Sequence, residues 1–189
     1  MNDKLTQRKA DILVALTQML GQAHAARIST AALAAYLNQS ESSLYRHFPS
    51  KAAMFMALIE HIEGLLFEDL DHIGATEPDG RKRLRKQLHA LLLFTERHPG
   101  LTRVLTGDAL VNEDPRLQTR LNTLIADLEA LLKRSVQVAT DTHALPAEAE
   151  ARSRLLMDWV LGRWLRYAQT AWQETPTTGC AGQLDLLGL

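Results

Sequence analysis

The chain has 189 residues, of which 46% are hydrophobic and 23% charged, and its formal net charge at pH 7 is −1. This composition is typical of a soluble globular protein of one or two domains and excludes a disordered chain. A single cysteine, Cys180, excludes an intrachain disulfide and a cysteine-based zinc site. No apolar run approaches the ~18 residues of a membrane span, and no leader-type apolar block follows the N-terminus. We therefore expect a cytoplasmic protein that does not contact a membrane.

Three helices are predicted at the start of the chain. Apolar residues recur at helical spacing over 5–20, and a second, shorter pattern covers 29–37. A turn-forming run follows, and Ser40 can cap a third helix over 41–47. Pro49 ends that helix, because a proline disfavours helical backbone at the residue before it.

The remainder of the chain also shows helical spacing and no strand pattern. Its helices are predicted over about 51–73, 82–97 and 101–106, from 115 onward, from 146 to 172, and as a short tail over 184–189. We expect an all-α fold with two parts. The first, residues 1–50, is a three-helix DNA-binding domain of the helix-turn-helix type. The second, residues 51–189, is a helical dimerisation and regulatory domain.

The helix-turn-helix assignment rests on two short helices that are joined by a tight turn and braced by the first helix. In this motif the second helix of the pair enters the DNA major groove. Here that helix covers 41–47, and Leu44 is expected to hold it to the core. The candidate DNA contacts are Thr30, Glu41, Ser42, Ser43, Tyr45, Arg46, His47 and Lys51.

Base recognition is expected from the exposed side of this helix. Ser42 and Ser43 are small enough to let the helix approach base edges, and Arg46 can donate to guanine or to phosphate. Residues 1–51 carry six cations and three anions, so their net charge of +3 contrasts with −1 for the whole chain. A local excess of positive charge is typical of a DNA-binding surface. The pattern alone leaves DNA binding open, since similar helix pairs occur in proteins that do not bind DNA.

Phosphate contacts are expected from four further side chains. Tyr45, His47 and Lys51 can reach phosphate oxygens, which orient a protein on DNA without reading its sequence. Thr30 stands at a helix N-terminus, where free backbone N–H groups favour an anion.

The segments 28–34 and 43–51 resemble the TetR family of bacterial regulators. In the second segment, the core Leu-Tyr-x-His-Phe-x-x-Lys is specific to that family. The resemblance implies a TetR-like homodimer whose two recognition helices bind a palindromic site in double-stranded DNA. It also implies a four-helix dimer interface built from the C-terminal helices.

Two further segments, 54–63 and 96–107, are similar to the nucleoid occlusion branch of this family. That resemblance implies a nucleoid-associated protein that binds many chromosomal sites and inhibits assembly of the division protein FtsZ. The FtsZ tail is expected in a groove between the fourth and fifth helices. Arg97 matches the arginine of that groove. His61, Asp69 and Leu93 stand where the branch has a phenylalanine, an arginine and a glycine.

A second functional hypothesis is a local transcriptional repressor released by a small-molecule effector, since many TetR relatives bind effectors in the body. Trp159, Trp164 and Trp172 fall on one predicted helix, which favours core and dimer-interface packing over an aromatic ligand pocket. The basic run 81–86 favours a solvated helix start over a patch for an acidic partner or DNA.

Catalytic and metal motifs are not found in the sequence. It contains neither a Gly-rich phosphate loop nor a G-x-S-x-G elbow, and its histidines do not form a metal-binding pattern. We therefore predict no enzymatic activity, no metal and no cofactor.

Overall fold

The computed structural model describes residues 2–23, 27–139 and 146–189, and of residues 2–5 and 146 only the helical backbone. All regular elements within these residues are helical, which confirms the all-α prediction. The helices are α1 (Asn2–Leu20), α2 (Thr30–Tyr36), α3 (Glu41–Tyr45), α4 (Lys51–Thr76), α5 (Gly80–Arg97), α6 (Pro99–Leu105), α7 (Pro115–Ala139), α8 (Pro146–Gln169) and α9 (Cys180–Leu186), with a 3₁₀ turn at Asp108–Leu110.

Serine caps begin three successive helices of the N-terminal half. The hydroxyls of Ser29, Ser40 and Ser50 each accept a hydrogen bond from the backbone N–H three residues ahead, at 3.1, 3.3 and 3.1 Å. Each bond satisfies a backbone donor that has no partner within the helix. Ser29 is therefore the cap of α2, and Thr30 is its first helical residue.

The turn between α2 and α3 depends on Asn38, whose φ of 52° lies in the left-handed region. Asparagine tolerates this conformation better than most residues other than glycine. After the turn, α3 ends at Tyr45, two residues earlier than predicted. The chain continues through a turn to Phe48, whose side chain is buried in the core.

The body is built around α5, which contacts α4, α6, α7 and α8. Leu84, Leu88, Leu91 and Leu92 are fully buried on it, and the apolar run over 91–94 predicted this central position. Trp164 of α8 reaches this core and is itself fully buried. Its indole N–H donates to the Leu91 carbonyl oxygen at 3.2 Å, so the buried polar atom has a partner.

The placement of all three tryptophans on one helix was wrong for Trp172. Helix α8 ends at Gln169, and Ala171 and Trp172 have left-handed φ values of 49° and 71°. The reversal lets the Trp172 indole N–H donate to the Gly21 carbonyl oxygen at 2.9 Å. Helix α8 thus ends where the chain turns to form a tertiary hydrogen bond with the residue that follows α1.

The head, which comprises α1 to α3, packs directly against the body, which comprises α4 to α9, where α1 meets α6. A Cβ atom on Gly100 would lie 2.0 Å from the Thr17 carbonyl oxygen, so only glycine permits this approach. Together with the bond from Trp172 to Gly21, this contact sets the position of α1 on the body. The helix-turn-helix is consequently held by the body as well as by its direct connection to α4.

Candidate nucleic-acid interface

The pair α2 and α3 presents one exposed polar surface over a buried apolar side. Leu44 of α3 is fully buried, and Leu33 and Ala34 of α2 are buried with it in the same core. The position of Leu44 agrees with its predicted role in holding the helix. Residues 41, 42, 45 and 46 are exposed, and 43 and 47 are half-buried.

Three of the predicted DNA contacts form a hydrogen-bonded group across the two helices. The Thr30 hydroxyl donates to Glu41 Oε2 at 2.5 Å, and the Tyr45 hydroxyl donates to Thr30 Oγ1 at 3.3 Å. Tyr45 stays 44% exposed despite this bond. The carboxylate of Glu41 therefore orients the two hydroxyl groups toward each other at the surface.

A second group orients the recognition-helix arginine. Arg46 Nη2 donates to Ser43 Oγ at 3.2 Å, and that hydroxyl donates to Gln39 Oε1 at 3.0 Å. Ser42 Oγ lies within hydrogen-bond distance, 2.9 Å, of the hydroxyl of Ser40, which caps α3. Gln39 was not among the predicted site residues, although its position one helical turn before Ser43 could have indicated the contact.

His47 lies half-buried at the end of α3. Its Nδ1 atom is buried and has no hydrogen-bond partner among the described residues. A neutral imidazole has one donor and one acceptor nitrogen. Because Nδ1 is enclosed by the protein, Nε2 is the nitrogen that remains for a contact outside it.

Lys51, which the sequence predicts as a phosphate contact, is engaged within the protein. Its ammonium lies 2.5 Å from Glu113 Oε1 and 5.6 Å from the centre of the Phe55 ring, and only 20% of its side chain is exposed. Glu113 also accepts a hydrogen bond from Arg27 at 2.9 Å. Glu113 is 62 residues from Lys51 and belongs to no local motif, so no signal in the sequence indicates this contact.

The predicted partner residues of the α4–α5 face are only partly brought together. His61 and Arg97 both lie near His98 at the junction of these helices with α6. Burial first, and then the charges of Arg97 and His61, lower the pKa of His98 below its ordinary value. Asp69 is exposed about 12 Å further along α4, so it does not join this group.

Leu93 belongs to a groove of about 430 Å³ between α5, the end of α4 and α9. Ile73, Ala90 and Leu184 line it with Leu93, and Cys180 is buried in the same wall. Helix α9 thus covers one side of α5. This part of the face is apolar, whereas its other end, near His61 and Arg97, is cationic.

The basic run 81–86 is largely engaged within the chain. Lys86 pairs with Glu77 at 2.6 Å, and that hydrogen bond is the main reason why the pKa of the Glu77 carboxyl is lowered. Arg83 donates to the Glu77 carbonyl oxygen at 2.8 Å, and Arg85 pairs with Asp185 at 2.6 Å. These contacts favour the interpretation of the run as a helix start tied to its surroundings.

The tryptophans do not form a shared pocket in the described part of the chain. Trp164 is in the core, and Trp159 donates to Gln183 Oε1 at 2.8 Å and stacks against Arg163. Trp172 packs edge-on against Tyr167. Within residues 2–23, 27–139 and 146–189, no three metal-ligating side chains cluster and no helix is long and apolar enough to cross a membrane.

Comparison with known sequences places both parts of the chain in one family. The model of bacterial regulatory proteins of the tetR family matches residues 12–58. The model of tetracyclin repressor-like C-terminal domains of the SlmA type matches residues 79–188. The nucleoid occlusion factor SlmA of Photobacterium profundum is 40% identical over 178 residues, which cover 93% of this chain and 91% of that protein. SlmA of Vibrio campbellii is also 40% identical, over 92% of this chain and 90% of its own length.

Solved structures support the fold assignment. A TetR-like transcriptional regulator from Rhodococcus sp. RHA1 superimposes with a TM-score of 0.68 at 23% identity, covering 95% of this chain and 91% of that one. A TetR-family regulator from Pectobacterium atrosepticum gives a TM-score of 0.64 at 19% identity. The chain therefore belongs to the TetR family of bacterial DNA-binding regulators and, within it, to the SlmA-like nucleoid occlusion group.

Proposed function

We propose that this chain acts as a homodimeric nucleoid occlusion factor, which binds palindromic chromosomal sites and inhibits FtsZ assembly beside them. The observation that carries the proposal is its 40% identity to SlmA proteins over nine-tenths of its length. The exposed and internally hydrogen-bonded surface of α2 and α3 supports the DNA-binding part.

The proposed DNA contacts divide into two groups. Ser42, Ser43 and Arg46 lie nearest the bases, because they occupy the outer side and end of α3. The remaining contacts are to phosphates, from Thr30, Tyr45, His47 and Lys51. Glu41 acts indirectly, because its negative charge repels phosphate. Its carboxylate accepts a hydrogen bond from the Thr30 hydroxyl and so orients that group.

The proposed dimer interface lies on the exposed sides of α7 and α8. Leu155 and Leu165 are 55% and 45% exposed on one side of α8. Gly162 lies between them with open space above it, which allows a close helix approach. Ala126 and Ala130 are exposed on α7. Small and apolar residues on two adjacent helices fit a four-helix interface with a second copy.

The FtsZ contact is proposed at the cationic end of the α4–α5 face. His61 and Arg97 both lie near His98 there, and their side chains form no hydrogen bond or ion pair with any described residue, so both are available to an acidic peptide. Asp69 carries the opposite charge further along α4. We therefore expect Arg97 to contribute more to the affinity for FtsZ than Asp69 does.

Mapping of chromosomal binding sites in the host tests the DNA part. A nucleoid occlusion factor should occupy many sites around the chromosome and few near the replication terminus. One or two sites beside its own gene would instead indicate a local repressor with a small-molecule effector.

FtsZ polymerisation, measured by light scattering with and without a mapped DNA site, tests the partner contact. The protein with DNA should reduce polymerisation, and Arg97→Ala should abolish the reduction while leaving DNA affinity unchanged. Arg81→Ala is the matched control, because Arg81 is exposed at the other end of α5. Equal inhibition by Arg97→Ala and the wild type would contradict this site.

A further inference from the structure

A nearly buried carboxylate of the body also contacts the DNA-binding head, beside the packing of α1 on α6. Glu113 follows the 3₁₀ turn in the loop before α7, and only 8% of its side chain is exposed. It lies 2.5 Å from Lys51 at the start of α4 and 2.9 Å from Arg27 before α2. Arg27 also donates to the Asn112 carbonyl oxygen at 2.8 Å. Asn112 has a left-handed φ of 60°, which turns the loop toward the head.

The two cations bind Glu113 in different ways. Arg27 is held at two points, by the carboxylate and by a backbone carbonyl, and its planar guanidinium suits this double contact. Lys51 is a point charge on a flexible stem, with one carboxylate partner and one aromatic ring beneath it. Lys51 is therefore the more easily exchanged of the two.

A buried carboxylate that loses its only cation is strongly destabilised. Glu113 is not left without a cation when Lys51 moves, because Arg27 remains paired with it. Space for the movement also exists, since a cavity of about 190 Å³ lies between head and body and is lined by Arg27, Lys51, Phe55 and Glu113. The lysine can thus leave the carboxylate without unpacking the core.

We propose that Glu113 is a positioning residue for DNA binding, which holds Lys51 in the free protein and releases its ammonium to a DNA phosphate while Arg27 keeps the carboxylate paired. The inference rests on the phosphate contact proposed for Lys51. Its consequence is that Glu113 lowers DNA affinity, because each binding event must first break the pair with Lys51.

The test measures the affinity for a fluorescent duplex of a mapped site by anisotropy across a range of salt concentrations. Glu113→Gln should raise affinity about two- to fivefold, because the pair with Lys51 no longer has to be broken, and leave the salt slope unchanged. Lys51→Ala should lower affinity and reduce the salt slope by about 0.9, the share of one phosphate contact. Adding Glu113→Gln to Lys51→Ala should have no further effect.

Arg27→Ala provides a second variant. It leaves Lys51 as the only cation on Glu113, so DNA affinity should fall, and Glu113→Gln in the same chain should remove that fall. Thermal unfolding of each variant shows whether it is folded. The inference is overturned if Glu113→Gln changes affinity equally with and without Lys51, or if Lys51→Ala leaves the salt slope unaltered. A wild type that binds no duplex would instead overturn the proposed DNA function itself.

Discussion

The α2–α3 surface and the cationic end of the α4–α5 face are both exposed and polar, but their side chains are organised differently. Among the predicted DNA contacts, Thr30, Glu41 and Tyr45 are bonded to one another, and Arg46 is bonded to Ser43. On the α4–α5 face, the side chains of the predicted partner residues His61, Asp69 and Arg97 form no hydrogen bond or ion pair with any described residue.

This difference has an energetic meaning. A side chain that is already held by its neighbours loses little conformational freedom when a ligand binds. The DNA surface is thus preorganised, and its geometry is set by the protein. Long side chains such as that of Arg97 become ordered only when a partner binds, so the geometry of the α4–α5 face depends more on its partner. The following predictions test this contrast in order of decreasing effect.

The largest effect is expected at the joint that holds the DNA surface on the body. Gly100→Ala places a Cβ atom 2.0 Å from the Thr17 carbonyl oxygen, so α1 must separate from α6. Urea denaturation should show a loss of about 3 kcal/mol in the free energy of unfolding. Gly64→Ala is the control, because a Cβ atom there meets nothing within 4 Å and alanine favours helix. Equal stability of the two variants would contradict the close contact.

Removal of the arginine held by Ser43 should give the next largest effect. Arg46→Ala is expected to lower affinity for a mapped site about tenfold or more, as the loss of one base contact does. The loss should be smaller on a random duplex, where no base is read. Arg116→Ala on α7 serves as the control, because Arg116 is exposed and, among the described residues, its side chain pairs with Asp114 alone. Equal losses on both duplexes would assign Arg46 to phosphate.

The Thr30 hydroxyl tests how much one preorganised contact contributes to affinity, since it is bonded within the protein and is also a proposed phosphate contact. Thr30→Val keeps the shape but removes the bonds to Glu41 and Tyr45. DNA affinity should fall about fivefold, roughly the value of one hydrogen bond. Thr123→Val, on the exposed side of α7, is the control, because its hydroxyl donates to the Thr119 carbonyl oxygen and to no other group in the described part of the chain. If both variants bind DNA like the wild type, the hydroxyl group does not support the interface.

The smallest effect is a pH dependence at the cationic end of the α4–α5 face. His98 has a lowered pKa in the folded protein, so the unfolded chain takes up its proton first as pH falls below 6.5. Its contribution to stability is complete above pH 6.5 and is lost as pH falls toward the lowered value. His98→Gln should lack this part of the pH profile of unfolding. An unchanged profile would mean that burial and the neighbouring Arg97 and His61 do not affect His98.

Local sequence signals predicted the elements of the head well. Ser40 and Ser50 stand where helices need a side-chain acceptor, and both are caps in the structure. The apolar spacing of α5 also predicted its central position. These features depend on residues within one or two helical turns, which is the range over which spacing and capping act.

The candidate site was only partly predictable for the same reason. The sequence placed Leu44 in the core and Arg46 at the surface, but it did not show that Gln39 and Ser43 orient the arginine. It placed Lys51 at the end of the family motif, but it gave no sign that Glu113 would hold the ammonium.

By itself, then, the sequence determined the helices, their caps, the apolar side of each and the family, because these follow from short-range spacing and motif identity. Only the tertiary structure decided where distant segments meet. It ended α8 before Trp172, where the indole bonds Gly21, and it brought Glu113 to Arg27 and Lys51. Such contacts join residues far apart in the chain, and they exist only once the core has set the positions of the helices.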